Sequence, residues 1–155
     1  MQILKRGRTL TMFKKRKNTN DEPEIWYSLV IMTEQEMSDE DYDKTQNKID
    51  DHVDNVGFSC NLTRSQSNKE YLNELDERIN LNSYTKPVYL LFKIDHDEIK
   101  AKEKALEKRH RFKHFFNLIS FAEYDVIATK VMTSPRHLVF YSYSLEEAIK
   151  FLKEH

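Results

Sequence analysis

Two segments of this 155-residue chain are apolar on both sides of an extended backbone, and they restrict the fold more than any other feature. Glu24 to Met32 (EIWYSLVIM) places Ile25, Tyr27, Leu29 and Ile31 on one side and Trp26, Val30 and Met32 on the other. Lys86 to Ile94 (KPVYLLFKI) does the same through Tyr89, Leu90, Leu91 and Phe92. Side chains alternate along a strand, so a run that is apolar at both parities needs cover on both sides. Such strands belong at the centre of a sheet or beneath helices.

A third strand is expected over Val56 to Leu62. Its inward set is Val56, Phe58, Cys60 and Leu62, and Gly57, Ser59 and Asn61 alternate with them toward water. Between these strands the chain carries helix-start signals, a capping residue followed three positions later by an acid. They are Ser38 with Asp41, Ser67 with Glu70, Asp95 with Glu98, and Ser144 with Glu147. The first helix then buries Tyr42, Ile49 and Val53, the second Tyr71, Leu72, Leu75 and Ile79, and the last Leu145, Ala148, Ile149 and Leu152. The helical region after Asp95 is long, with an interruption expected near Arg109 and an apolar set of Ala105, Leu106, Phe112, Phe115, Phe116 and Ile119. Asp125 to Met132 and His137 to Tyr143 read as a β-hairpin through Thr133-Ser134-Pro135-Arg136.

The order β-α-β-α-β-α-β-β-α predicts an α/β (α+β) sandwich: a mixed sheet of about five strands with helices on at least one face. Two architectures fit it, a ferredoxin-like fold with an extra helix and a terminal hairpin and helix, or a thioredoxin-like variant. The second would lack the redox cysteine pair, because Cys60 stands alone. Residues 1–23 read as a basic, polar N-terminal tail and 24–155 as a single compact domain. Met12 offers an alternative native start to Met1, with the polar opening of a small bacterial protein.

Several function classes are poor fits. Gly7 and Gly57 are the only glycines, so neither a Walker A loop nor a dinucleotide fingerprint can be assembled. One cysteine supports no internal disulfide and suits a reducing compartment. The N-terminal basic residues are not followed by a signal-peptide apolar run, and no stretch approaches the ~20 apolar residues of a membrane span. A cytoplasmic protein that does not engage membranes is expected.

The net charge of −1 conceals a segregated layout. Residues 1–17 hold seven Lys or Arg and no acid, Asp21 to Asp54 holds twelve acids against Lys44 and Lys48, and Lys100 to Lys113 is again basic. Beyond residue 17 the chain carries 18 Lys or Arg against 26 Asp or Glu, a formal −8. The candidate binding residues are Lys104, Lys108, Arg109, Arg111 and Lys113 on the third helix, with Arg136 and His137 beyond it. The expectation is a protein-interaction or regulatory module without catalytic activity, docking another protein or its own copy through opposed acidic and basic helices. The alternative is nucleic-acid binding by the basic helix, because cationic side chains beside aromatics can hold phosphates and stack on bases. A small enzyme would require His110, His114, His137 and dispersed carboxylates to converge. No cofactor is expected, and no metal: His110 and His114 have ligand spacing, but no third ligand is evident.

Overall fold

The computed structural model describes residues 25–79, 87–115 and 117–155. The expected N-terminal tail and the choice between Met1 and Met12 lie outside them. Strands β1 (Tyr27–Thr33), β2 (Val56–Thr63), β3 (Val88–Lys93) and β4 (Leu138–Ser142) form one open sheet in the order β2-β1-β3-β4. β1 runs parallel to β2 and antiparallel to β3, and β3 is antiparallel to β4. The helices are α1 (Asp39–Asp50), α2 (Lys69–Arg78), α3 (His96–Arg109), α4 (Arg111–Phe115), α5 (Phe121–Met132) and α6 (Leu145–Glu154), with a 3-10 turn at Pro135–His137.

The two-sided strands behave as their sequences require. β1 and β3 are the inner strands, and every residue of β1 is buried. On one side Val30, Met32, Leu90 and Phe92 pack with Phe58, Cys60 and Leu62 against Leu75 of α2, Ile99 of α3 and Ala128, Val131 and Met132 of α5. On the other, Tyr27, Leu29, Ile31 and Leu91 pack against Tyr42 and Ile49 of α1 and Ala148, Ile149 and Leu152 of α6. Helices therefore cover both faces. A buried Leu, Ile or Phe side chain contributes roughly 1.5–3 kcal/mol relative to exposure, so these two layers supply most of the stabilisation.

Three expectations are corrected. Residues 125–132 are not a strand but the second half of α5, so the sheet has four strands among the described residues rather than about five. The β-branched residues there suggested a strand, but Ser120 and Glu123 form a reciprocal capping box upstream. From that start, Ala128, Val131 and Met132 fall on one buried helical side while Val126 and Lys130 face solvent. Residues 133–137 accordingly form a link ending in the 3-10 turn instead of a hairpin loop, and β4 starts at Leu138.

The second correction concerns β2. Its polar side meets α1 rather than water: Ser59 bonds Gln46, the Tyr42 hydroxyl donates to the Ser59 carbonyl at 3.0 Å, and Asn61 is buried. The register slips at Gly57, so Val56 turns to the α1/α6 side while Phe58 faces the other. Third, α2 is capped by Asn68, whose side chain accepts from Glu70 N at 2.7 Å, while the Ser67 hydroxyl donates to the Thr63 carbonyl. The remaining expected caps stand: Ser38, Asp95 and Ser144 accept from the N–H groups of Asp41, Glu98 and Glu147.

Candidate functional site

The basic sequence run becomes a surface because the chain breaks there. α3 ends at His110 (φ −116°, ψ 52°), the interruption expected near Arg109, and α4 follows at once. α4 closes on Asn117, a left-handed residue with φ 58°. The Leu118 N–H reaches the Lys113 carbonyl at 2.7 Å and the Asn117 N–H the His114 carbonyl at 3.0 Å, the paired bonds of a Schellman ending. Ser120 then starts α5, which packs back along α3. Beside the break lies a shallow groove of about 690 Å³, lined by Lys104, Glu107 and Lys108 of α3 and Arg111, Phe112 and His114 of α4.

Along α3 and α4, charges are unequally committed. Lys104, Lys108, Arg109 and Arg111 have no ion-pair partner among the described residues. Lys113 pairs with Glu123 at 3.2 Å. Glu107 accepts from the Tyr124 hydroxyl at 2.8 Å and lies 3.9 Å from His114 Nδ1. That carboxylate bond disfavours phenolate, and Tyr124 is pushed up to about 12.

The same region exposes large apolar side chains. Phe112 is 73% exposed, Phe121 77% and Leu118 58%. The expectation that Ala105 and Phe112 point inward is overturned; both are exposed, and Leu106 alone of that set is fully buried among the described side chains. Ala105 lies on the solvent side of α3, next to buried Leu106, and Phe112 lies on α4, beyond the break at His110. Tyr141 and Tyr143, by contrast, are half-buried and pack on the core.

Arg136 and His137 are not part of this groove. They sit on the 3-10 turn before β4 and meet Glu98 in the first turn of α3. Ten residues of helix separate Glu98 from Lys108, roughly 15 Å of rise. The predicted binding set therefore divides into two places. At the second, Arg136 pairs with one oxygen of Glu98, and His137 Nε2 lies 3.5 Å from the other, Oε1. His137 Nε2 is closed to solvent and has no hydrogen-bond partner. Asp95, which caps α3 by accepting from Glu98 N at 3.0 Å, completes a group of three ligand-type atoms all within 4.8 Å of one another.

Glu98 was legible only as a capping partner. Its carboxylate is instead held by residues 38 and 39 positions later, a separation that no local spacing reveals. Among the described residues, His110 and His114 belong to no such group. Arg64, at the end of β2, is turned to Asp76 at 2.8 Å. Cys60 is buried, and burial pushes its thiol up to about 12, which suits a core residue and not a nucleophile. No family model, no curated protein and no solved structure matches this chain.

Proposed function

We propose that this protein is a non-catalytic interaction module whose α3–α4–α5 face docks an acidic segment of a partner protein that also carries apolar side chains. The observation that carries this reading is exposed Phe112 in one groove with the uncommitted cations Lys104, Lys108 and Arg111, with Leu118 and Phe121 also exposed further along the chain. An exposed aromatic side chain in a groove can anchor a partner, and cations around it select and orient an acidic one. Exposed aromatics offer large anchoring area at little entropic cost.

Nucleic acid is the weaker occupant. The chain beyond residue 17 is formally −8, Glu107 lies in the groove, and Lys113 and Arg136 are already neutralised by Glu123 and Glu98. Four remaining cations give a modest counterion-release contribution.

The topology supports the thioredoxin-like alternative for the scaffold. In a ferredoxin-like split βαβ unit the parallel strands are separated by another strand, whereas β1 and β2 are direct neighbours. On this reading α3–α5 are an insertion between β3 and β4, and the absence of a second cysteine makes the scaffold a binding platform. The lone buried thiol also fits a cytoplasmic setting; no helix among the described residues is long and apolar enough to cross a membrane.

The test is fluorescence anisotropy with a labelled peptide alternating Glu or Asp with Leu or Phe, run beside a labelled single-stranded oligonucleotide at low salt. The peptide is expected to bind, to lose binding in Lys104→Glu/Lys108→Glu/Arg111→Glu, and to weaken about five- to tenfold in Phe112→Ser. Tighter binding of the oligonucleotide, or no peptide binding by the full chain, would overturn the reading.

A further inference from the structure

We infer that Asp95, Glu98 and His137 form a divalent transition-metal site, independent of the docking face. The donor set is one imidazole nitrogen and two carboxylates, the mixture that suits zinc, manganese or cobalt. Its distances fit. A tetrahedral ion with ligands at about 2.1 Å places adjacent ligand atoms about 3.4 Å apart. His137 Nε2 and Glu98 Oε1 are 3.5 Å apart, too long for a good hydrogen bond and right for two ligands of one ion. Asp95 offers a carboxylate oxygen within 4.8 Å of both.

The surroundings point the same way. His137 Nε2 is inaccessible to solvent and has no hydrogen-bond partner, an arrangement that leaves a buried nitrogen unsatisfied. A metal ion supplies the missing partner. The side chains of Glu98 and His137 are only 20% and 17% exposed, so the ligands are held by packing. Asp95 is fixed by its capping bond to Glu98 N, which ties the ligand to the helix start. Pro135 restricts the turn that carries His137. Three protein ligands leave coordination positions for water or for a partner's side chain.

Arg136 gives the inference its sharpest consequence. Its guanidinium pairs with the second Glu98 oxygen, so it repels an incoming dication and competes for its ligand. Arg136→Gln is therefore expected to tighten metal binding severalfold. If the cluster were only a salt-bridged clamp, the same change would loosen the turn and leave metal affinity unimproved.

The experiment uses the full chain with zinc by titration calorimetry, and cobalt by visible absorption. One zinc per chain is expected at micromolar affinity, with cobalt bands of a four- or five-coordinate ion. His137→Gln and Glu98→Gln should each lose more than about tenfold in affinity. Far-ultraviolet circular dichroism must show both variants folded; His110→Gln/His114→Gln should bind as the parent does. Absence of one-to-one binding at about 100 μM zinc, unchanged affinity in folded His137→Gln, or loss of binding in the His110/His114 variant would each overturn the assignment.

Discussion

Replacing Asn61 by Ala separates the local sequence pattern from the folded environment. Period-two alternation places Asn61 on a water-facing side, where truncation costs within about 0.5 kcal/mol. In the fold Asn61 is 2% exposed. Its Nδ2 donates to the Ile31 carbonyl at 2.8 Å and to Thr33 Oγ1 at 3.0 Å, and its Oδ1 accepts from Met37 N at 2.9 Å. Truncation removes all three bonds. Water can reach the half-buried Met37 N–H in part, whereas the Ile31 carbonyl and Thr33 hydroxyl lie in the sheet. A hydrogen bond contributes about 1 kcal/mol net, and an orphaned buried group costs about 1–3 kcal/mol. The expected loss is about 2–4 kcal/mol, or roughly 4–12 °C in Tm for a chain of this size. Urea unfolding followed by circular dichroism measures it, with exposed Asn47→Ala on α1 as the control. A loss below about 0.5 kcal/mol would refute the buried polar link from β2 to Ile31, Thr33 and Met37.

Three further outcomes test other parts of the fold. The Glu123 carboxyl is held below the ordinary carboxylate range, first by the Ser120 backbone N–H and then by Lys113. A depressed folded-state value stabilises above the unfolded Glu range near ~4.3 and is lost as pH falls through the folded value. The stability gap between the parent and Glu123→Gln should therefore be widest at neutral pH and close in acid; a pH-independent gap would count against the capping box. Cys60 should resist a thiol-specific disulfide reagent at pH 8 until the protein is unfolded, whereas rapid native labelling would show the thiol exposed. Ser144→Ala removes the 3.3 Å cap to Glu147 N and should cost about 1 kcal/mol, read as a lower urea midpoint. An unchanged midpoint would show that α6 is held by its packing alone.

What the sequence reveals depends on the range of the interaction. β1 and β3 were legible as central because their own side chains demand two covers. The caps at Ser38, Asp95 and Ser144 were legible because donor and acceptor lie within one turn. α5 was misread because its β-branched residues weigh toward a strand, while the signal against it, Ser120 with Glu123, sits just upstream of the misassigned segment. The polar side of β2 was misread for another reason. Alternation reports which residues differ, not whether the second side meets water or a helix carrying Tyr42 and Gln46. The candidate sites divide in the same way. The cations of α3 are visible as a run, but the groove depends on the break between α3 and α4 at His110. The Glu98–His137 contact depends on the whole β3–α5 excursion.

That excursion bears on function. β3 and β4 are adjacent antiparallel strands, a pair that a two-residue turn can join. The chain instead uses residues 94–137 for the connection. Part of it serves the core, because Ile99, Ala128, Val131 and Met132 cover the sheet. Between Lys108 and Phe121, the residues Lys108, Arg109, Arg111, Phe112, Leu118 and Phe121 are exposed. Exposed Phe and Leu surface favours aggregation, and exposed, unpaired cations contribute little to the core. Both costs are offset if the segment meets a partner. The acidic helix α1 lies on the opposite sheet face, so the two charge blocks cannot neutralise each other within one molecule. The basic face remains available to an acidic surface from outside, which is the physical reason the proposed interaction is placed on the α3–α4 face rather than on the sheet or α1.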